Sequence, residues 1–219
     1  MASSDYMLEA EKLRKSYGGI AALKGVDFRV RGGSVHALVG ENGAGKSTLV
    51  KILAGATSPD TGILRLAGQE MRFSSTAAAS AHGVAIVSQE LNLFPDLDVL
   101  SNLFSIRARR SGLFVRRRQM WEQARPVFQE LGLDVDPRVP VEMLSLEQRQ
   151  LLEIARALMI RPRVLILDEP TSALHAHETE RLHQVLRTLR QREVAVIYIS
   201  HILEDVLSLC DEVTVLRDG

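Results

Sequence analysis

An α/β fold is the architecture this sequence predicts: a mostly parallel sheet, helices on both of its faces, and one helical insertion. Short apolar runs, Val35 to Val39, Val84 to Val87, Val164 to Leu167, Val194 to Ile199 and Val213 to Leu216, have the length and β-branched content of buried strands. Between the third and fourth lies a helix pattern, with Leu182, Val185, Leu186 and Leu189 at i, i+3, i+4 and i+7. Strand and helix in alternation imply parallel pairing with both faces covered. From about Asn92 to Ile160 strand signals vanish and helical periodicity takes over, apart from polar loops near Arg109 to Gly112 and Asp134 to Pro140.

Taken in order, Met7 to Tyr17 and Val26 to Val30 read as strands joined by a turn at Gly18-Gly19. Val35 to Val39 is the first buried strand. It runs into Gly40-Glu41-Asn42-Gly43-Ala44-Gly45-Lys46-Ser47, which fits G-x-x-x-x-G-K-[ST], and then into a helix over Thr48 to Leu53. Strand, glycine loop and helix are the setting that pattern needs. Gly62 to Leu66 and Met71-Arg72-Phe73 read as short strands around a turn at Gly68. Ser145, with Gln148 three residues on, forms a capping box that opens an amphipathic helix carrying Leu151, Leu152, Ile154, Ala155 and Leu158.

Bulk properties bound the function. Lys+Arg and Asp+Glu both number 27 in 219 residues, so no global field favours nucleic acid or an anionic membrane. The single cysteine, Cys210, excludes an internal disulfide and reads as a small core residue before the last strand. Met1 to Asp5 lacks the basic start and apolar run of a signal peptide, and no apolar stretch approaches the roughly 18 residues of a membrane span. The expectation is a soluble cytoplasmic protein.

The glycine loop turns backbone N–H groups toward a phosphate, the helix N-terminus adds partial positive charge, Lys46 adds a full one, and the Ser47 hydroxyl suits Mg²⁺. Leu165-Ile166-Leu167-Asp168-Glu169 ends a buried strand in two carboxylates, at the sheet edge where α/β folds bind ligands. Asp168 there suits the Mg²⁺ shell. Glu169, one residue on, suits polarising an attacking water. Ser200-His201 caps the following strand.

In their order and spacing these elements resemble the ATP-binding cassette of ABC transporters over nearly the whole chain: Gly40 to Thr48 (Walker A), Gln89 (Q-loop), Leu144 to Gln148 (signature), Leu165 to Glu169 (Walker B), Ser172 to His175 (D-loop) and His201 (switch). The resemblance implies a P-loop NTPase (RecA-like) fold in a single nucleotide-binding domain over 1–219. Its core, with an antiparallel β subdomain, covers 1–91 and 161–219, and a helical signature subdomain covers 92–160. It further implies that Gly40, Asn42, Gly43, Ala44, Gly45, Lys46, Ser47 and Thr48 bind ATP, with Tyr17 on adenine. Ser145 and Gln148 contact nucleotide, Ser47, Gln89 and Asp168 serve Mg²⁺, and Glu169, Gln89 and His201 act in hydrolysis. The implied partners are a second cassette packed head to tail, membrane permease subunits and, indirectly, a periplasmic or extracellular solute-binding protein. That places the chain on the cytoplasmic, inner face of the membrane.

Gly40 to Thr48, Ser88 to Pro95 and Tyr198 to His201 are similar to the first cassette of bacterial sugar-import ATPases of the ribose, xylose and galactose type. Such proteins carry two cassettes, so the expectation is the N-terminal half of a longer chain. Leu146 and Glu147 replace the usual glycines of Leu-Ser-Gly-Gly-Gln, and His175 stands where the D-loop usually has Asp. Against a partner's phosphate, unit charges ~5 Å apart at an effective dielectric of ~20 repel by about 3 kcal/mol. The helix dipole favours a carboxylate by only roughly 0.3–1 kcal/mol. Other features read blandly. His175 and His177 are solvated polar residues rather than a metal pair. Arg109, Arg110 and Arg116 to Arg118, near Phe114 and Trp121, are a solvated helical face rather than a nucleic-acid site. Leu93, Phe94, Pro95, Leu97, Val99 and Leu100 are either local core or a permease-docking surface. Three function classes stay open: an importer's ATPase, a ribosome-associated cassette, and a nucleotide-binding module of negligible turnover.

Overall fold

The computed structural model describes residues 5–108 and 117–219. Of the sequence expectations, Arg109 to Gly112, Phe114, Arg116 and the first four residues lie outside them. The order is β1 (Tyr6–Tyr17), β2 (Ile20–Arg31), β3 (Val35–Val39), α1 (Lys46–Leu53), β4 (Thr61–Leu66), β5 (Gln69–Met71), α2 (Thr76–Ala81) and β6 (Val84–Val87). It continues with α3 (Val99–Ala108), α4 (Arg117–Leu131), a 3-10 turn at Val141–Met143, α5 (Leu146–Met159), β7 (Val164–Asp168), α6 (Ala176–Gln191), β8 (Ala195–Ile199), α7 (Leu203–Leu209) and β9 (Glu212–Val215).

The chain divides into two compact units. The first comprises Met1–Ile86, Pro162–Glu169 and Leu186–Gly219. It holds a sheet in the order β6-β7-β8-β3-β9, whose β7/β8, β3/β8 and β3/β9 pairs are parallel, and an antiparallel sheet β2-β1-β4-β5. The α/β class expected from the apolar runs is observed: Val164 to Leu167 and Ala195 to Ile199 are buried on both faces. Leu8, Phe28 and Leu64 of the antiparallel sheet share one core with Leu49 and Ile52 of α1 and with Ile166 and Ile197. The second unit comprises Val87–Arg161 and Pro170–Val185 and packs α3, α4 and α5 around Leu103, Phe128, Leu152 and Ile154.

Local differences have local causes. β2 begins at Ile20 rather than Val26, because Ile20 to Lys24 pairs with the end of β1 through Tyr17↔Ile20, Lys15↔Leu23 and Arg14↔Lys24. The strand expected at Met71 to Phe73 is β5, Gln69–Met71, and Phe73 leaves it to enter the core. Helix α2 was not anticipated: its run of alanines shows no amphipathic period, and its start is set by the Ser75 hydroxyl accepting from Ala78 N–H at 3.1 Å.

His36 lies buried on β3, its Nε2 2.7 Å from Thr214 Oγ1 and its ring edge-on to Phe28. Burial, and then Arg31, push its pKa below the ordinary 6.5. The unfolded chain therefore binds a proton that the folded chain refuses in the window below pH 6.5. Stability is full above that window and falls as pH drops through it. Thermal unfolding from pH 7.5 to 5.5 is expected to show this loss, and His36→Gln to show a shallower one; identical slopes would remove His36 from the account.

Candidate functional site

Parallel pairing decides where the chemistry collects. In the first unit Ala37 pairs with Tyr198, and Asp168 with Ile199, so β3, β7 and β8 end at one sheet edge. The glycine loop, Asp168-Glu169 and Ser200-His201 follow directly from those ends. The loop's course depends on missing side chains. Gly45, the N-cap of α1, has φ 107°, and a Cβ there would lie 2.7 Å from the Ala22 carbonyl and 2.9 Å from Leu23 Cδ2. At Gly40 a Cβ would run into the Leu216 carbonyl.

Lys46 bends back over the loop, its ammonium donating to the carbonyls of Gly40 at 2.6 Å and Glu41 at 3.0 Å. Lys46, Ser47 and Thr48 occupy the first turn of α1, where backbone N–H groups have no intrahelical acceptor. Asp168 is half-buried. Burial and the Glu169 carboxylate raise its pKa, while Lys46 draws it down. Glu169 has φ 51°, its N–H donates to Ile199 C=O at 2.9 Å, and its carboxylate lies 2.8 Å from His201 Nδ1.

These residues fit a nucleoside triphosphate with Mg²⁺. The glycine cradle admits a phosphate to the backbone, one cation and a helix N-terminus face it, and hydroxyl and carboxylate oxygens are the donors that cation prefers. Tyr17, at the end of β1, is 48% exposed and so is not a core aromatic. Asp60 holds the strand end beneath it, through Lys15 Nζ at 2.8 Å and Ser16 N–H at 2.7 Å.

The second unit carries Gln89, exposed after β6, together with the signature and D-loop segments. Ser145 caps α5, and the expected capping box with Gln148 is complete. Glu147 Oε1 lies 3.0 Å from His175 Nε2, and the His175 side chain is otherwise 80% exposed, solvated as expected. Arg117 pairs with Asp98 and Arg118 with Glu122, while Trp121 packs edge-on against Phe128. Val99 and Leu100 are core, whereas Phe94 is 51% and Leu97 43% exposed.

Sequence reasoning missed the polar side chains that fix the segment after Gln89. Buried Glu153 accepts the Asn92 N–H at 2.6 Å and pairs with Arg156, which donates to the Asn92 carbonyl at 2.8 Å. Burial raises the Glu153 pKa against the pull of Arg156. Fully buried Asn102 accepts from Phe94 N–H and donates to the Phe94, Leu97 and Asp98 carbonyls. A lone Asn inside Leu100 to Phe104 and a lone Glu between Leu152 and Ile154 were the available signals.

A model of the ABC transporter family matches residues 23–172. The chain belongs to the ABC transporter family. Galactose/methyl galactoside import ATP-binding protein MglA of Escherichia coli (strain K12) and of Shigella boydii serotype 4 (strain Sb227) is 43% identical over 218 residues, covering 100% of this chain and 43% of each relative. This chain thus spans less than half the length of those proteins. Among solved structures, cbiO1 from Clostridium perfringens, part of the ABC transporter complex cbiONQ, is 28% identical with a TM-score of 0.82, covering 99% of this chain and 86% of that one. An ABC transporter cassette in its nucleotide-free form, 24% identical, shares the fold at a TM-score of 0.86 over 98% and 88%.

In this family member Gly45→Ala forces a Cβ between the Ala22 carbonyl and Leu23 at a positive φ. A loss of about 2–4 kcal/mol in denaturant unfolding is expected, together with loss of nucleotide binding. Wild-type stability in the variant would refute the steric account of this loop.

Proposed function

We propose that this chain binds and hydrolyses Mg-ATP to energise import of a sugar through a membrane permease, working head to tail with a second cassette. The observation that carries this reading is the convergence of the glycine loop, Lys46, Asp168, Glu169 and His201 at one parallel-sheet edge. The import function that the MglA relatives' name states supports the sugar.

In this reading Gly40, Asn42, Gly43, Ala44 and Gly45 shape the cradle. Lys46, Ser47 and Thr48 hold phosphate oxygens, and Tyr17 stacks on the base. Ser47, Gln89 and Asp168 hold Mg²⁺, which when bound neutralises charge on the transferring phosphoryl group. Glu169 takes a proton from the attacking water, with His201 fixing its carboxylate and reaching the terminal phosphate. Ser145 and Gln148 face the nucleotide of the opposite cassette. Exposed Phe94 and Leu97, on a backbone pinned by Asn102, suit docking to a permease. Among the described residues no helix is long and apolar enough to cross a membrane; the proposed place, with a permease, is the inner face of the membrane.

Fluorescent-nucleotide binding and phosphate release test this reading. Lys46→Ala is expected to weaken Mg-ATP binding about 100-fold or more. Glu169→Gln should preserve binding while lowering turnover by roughly 10²–10⁴. Unaltered binding in Lys46→Ala, or unaltered turnover in Glu169→Gln, would overturn it.

A further inference from the structure

Of the three positions where this chain departs from the family's usual motifs, Leu146, Glu147 and His175, the last two touch each other. Glu147 sits in the first turn of α5, where the helix dipole and unsatisfied N–H groups attract an anion. Its Oε2 accepts the Ser145 hydroxyl proton, and its Oε1 faces His175 Nε2 at 3.0 Å. The same Ser145 oxygen accepts from Gln148 N–H at 3.3 Å, and the hydroxyl's single proton, the one it could offer a phosphate, is engaged within the chain. Ser145, the Glu147 amide and His175, in that order, hold the carboxylate below its ordinary pKa. Asp134, His177, Glu178 and Arg181 line one depression of about 400 Å³ with them, floored in part by Leu131, Leu133 and Leu151.

We infer that Glu147 is an anion supplied in cis, occupying the phosphate-facing end of the signature helix, with the His175 ring against it, and thereby closing this signature to the nucleotide of an identical partner. The inference rests on the head-to-tail reading proposed above. A second copy loaded with Mg-ATP has to displace the carboxylate from Ser145 and then tolerate its charge beside the terminal phosphate. A glycine at the same position offers neither obstacle. The partner that fits this face is therefore a cassette whose opposed loop presents less negative charge, not a second copy of this chain.

The test uses the hydrolysis-blocked chain, Glu169→Gln, with Mg-ATP binding read by fluorescence and assembly read by mass photometry across protein concentration. With Glu147 in place the chain is expected to bind Mg-ATP and remain monomeric. Adding Glu147→Gly should strengthen ATP-dependent dimerisation about tenfold or more, and Glu147→Gln, which removes charge but keeps the length, by a smaller factor. The Gln variant guards against a folding defect in the Gly variant. Binding with equal dimerisation in all three chains overturns the inference alone. Absence of Mg-ATP binding in the chain with Glu147 intact overturns the functional reading and the inference with it.

Discussion

Everything in the first unit depends on the parallel register of β3, β8 and β7. Parallel strands point the same way, so the residues following Val39, Asp168 and Ile199 must emerge at one edge. A slip of one residue in β7 would turn Asp168 to the opposite face of the sheet and break the Glu169 N–H bond to Ile199. What fixes that register is burial. Val164, Leu165, Ile166 and Leu167 have no exposed face, and neither do Val196 and Ile197, so a slip would expose apolar surface or bury a carboxylate. The left-handed backbone of Glu169, uncommon outside glycine, is held by that Ile199 bond and by the His201 contact.

The second unit relies on a different device, buried polar side chains that hold backbone rather than one another. Asn102 engages the carbonyls of Phe94, Leu97 and Asp98 and the Phe94 amide, and Glu153 with Arg156 takes both the N–H and the C=O of Asn92. A segment with no ladder of its own would otherwise bury unpaired polar groups, at about 1–3 kcal/mol each. These clamps leave Phe94 and Leu97 outward while Val99 and Leu100 fill the core. That divides an apolar stretch which reads as uniform in the sequence.

The legible parts of this molecule are those whose cause is local. Gly40 and Gly45 announce a backbone that a Cβ would obstruct, Ser145 and Gln148 announce a cap, and the strand runs announce two-sided burial. α6 buries the four residues its periodicity singles out, Leu182, Val185, Leu186 and Leu189. What escaped had a tertiary cause. No spacing rule links Glu147 to His175 or Asn92 to Glu153, since each pair meets only when separate segments pack. β5 ended early because Phe73 gains more from the core than from extending an edge strand.

Both charged ends of the chemistry are satisfied within the chain. Lys46 donates to the Gly40 and Glu41 carbonyls, and the α5 N-terminus is filled by Glu147. Binding at either end is thus an exchange of partners, and its strength is the difference between two sets of contacts rather than the sum of new ones. At Lys46 the exchange favours an incoming phosphate, because neutral carbonyls are replaced by anionic oxygens. At α5 it does not, because one anion replaces another and the displaced carboxylate stays covalently attached nearby. On the proposed reading, α1 with Lys46 is left to an incoming phosphate, whereas the α5 terminus already holds the Glu147 carboxylate.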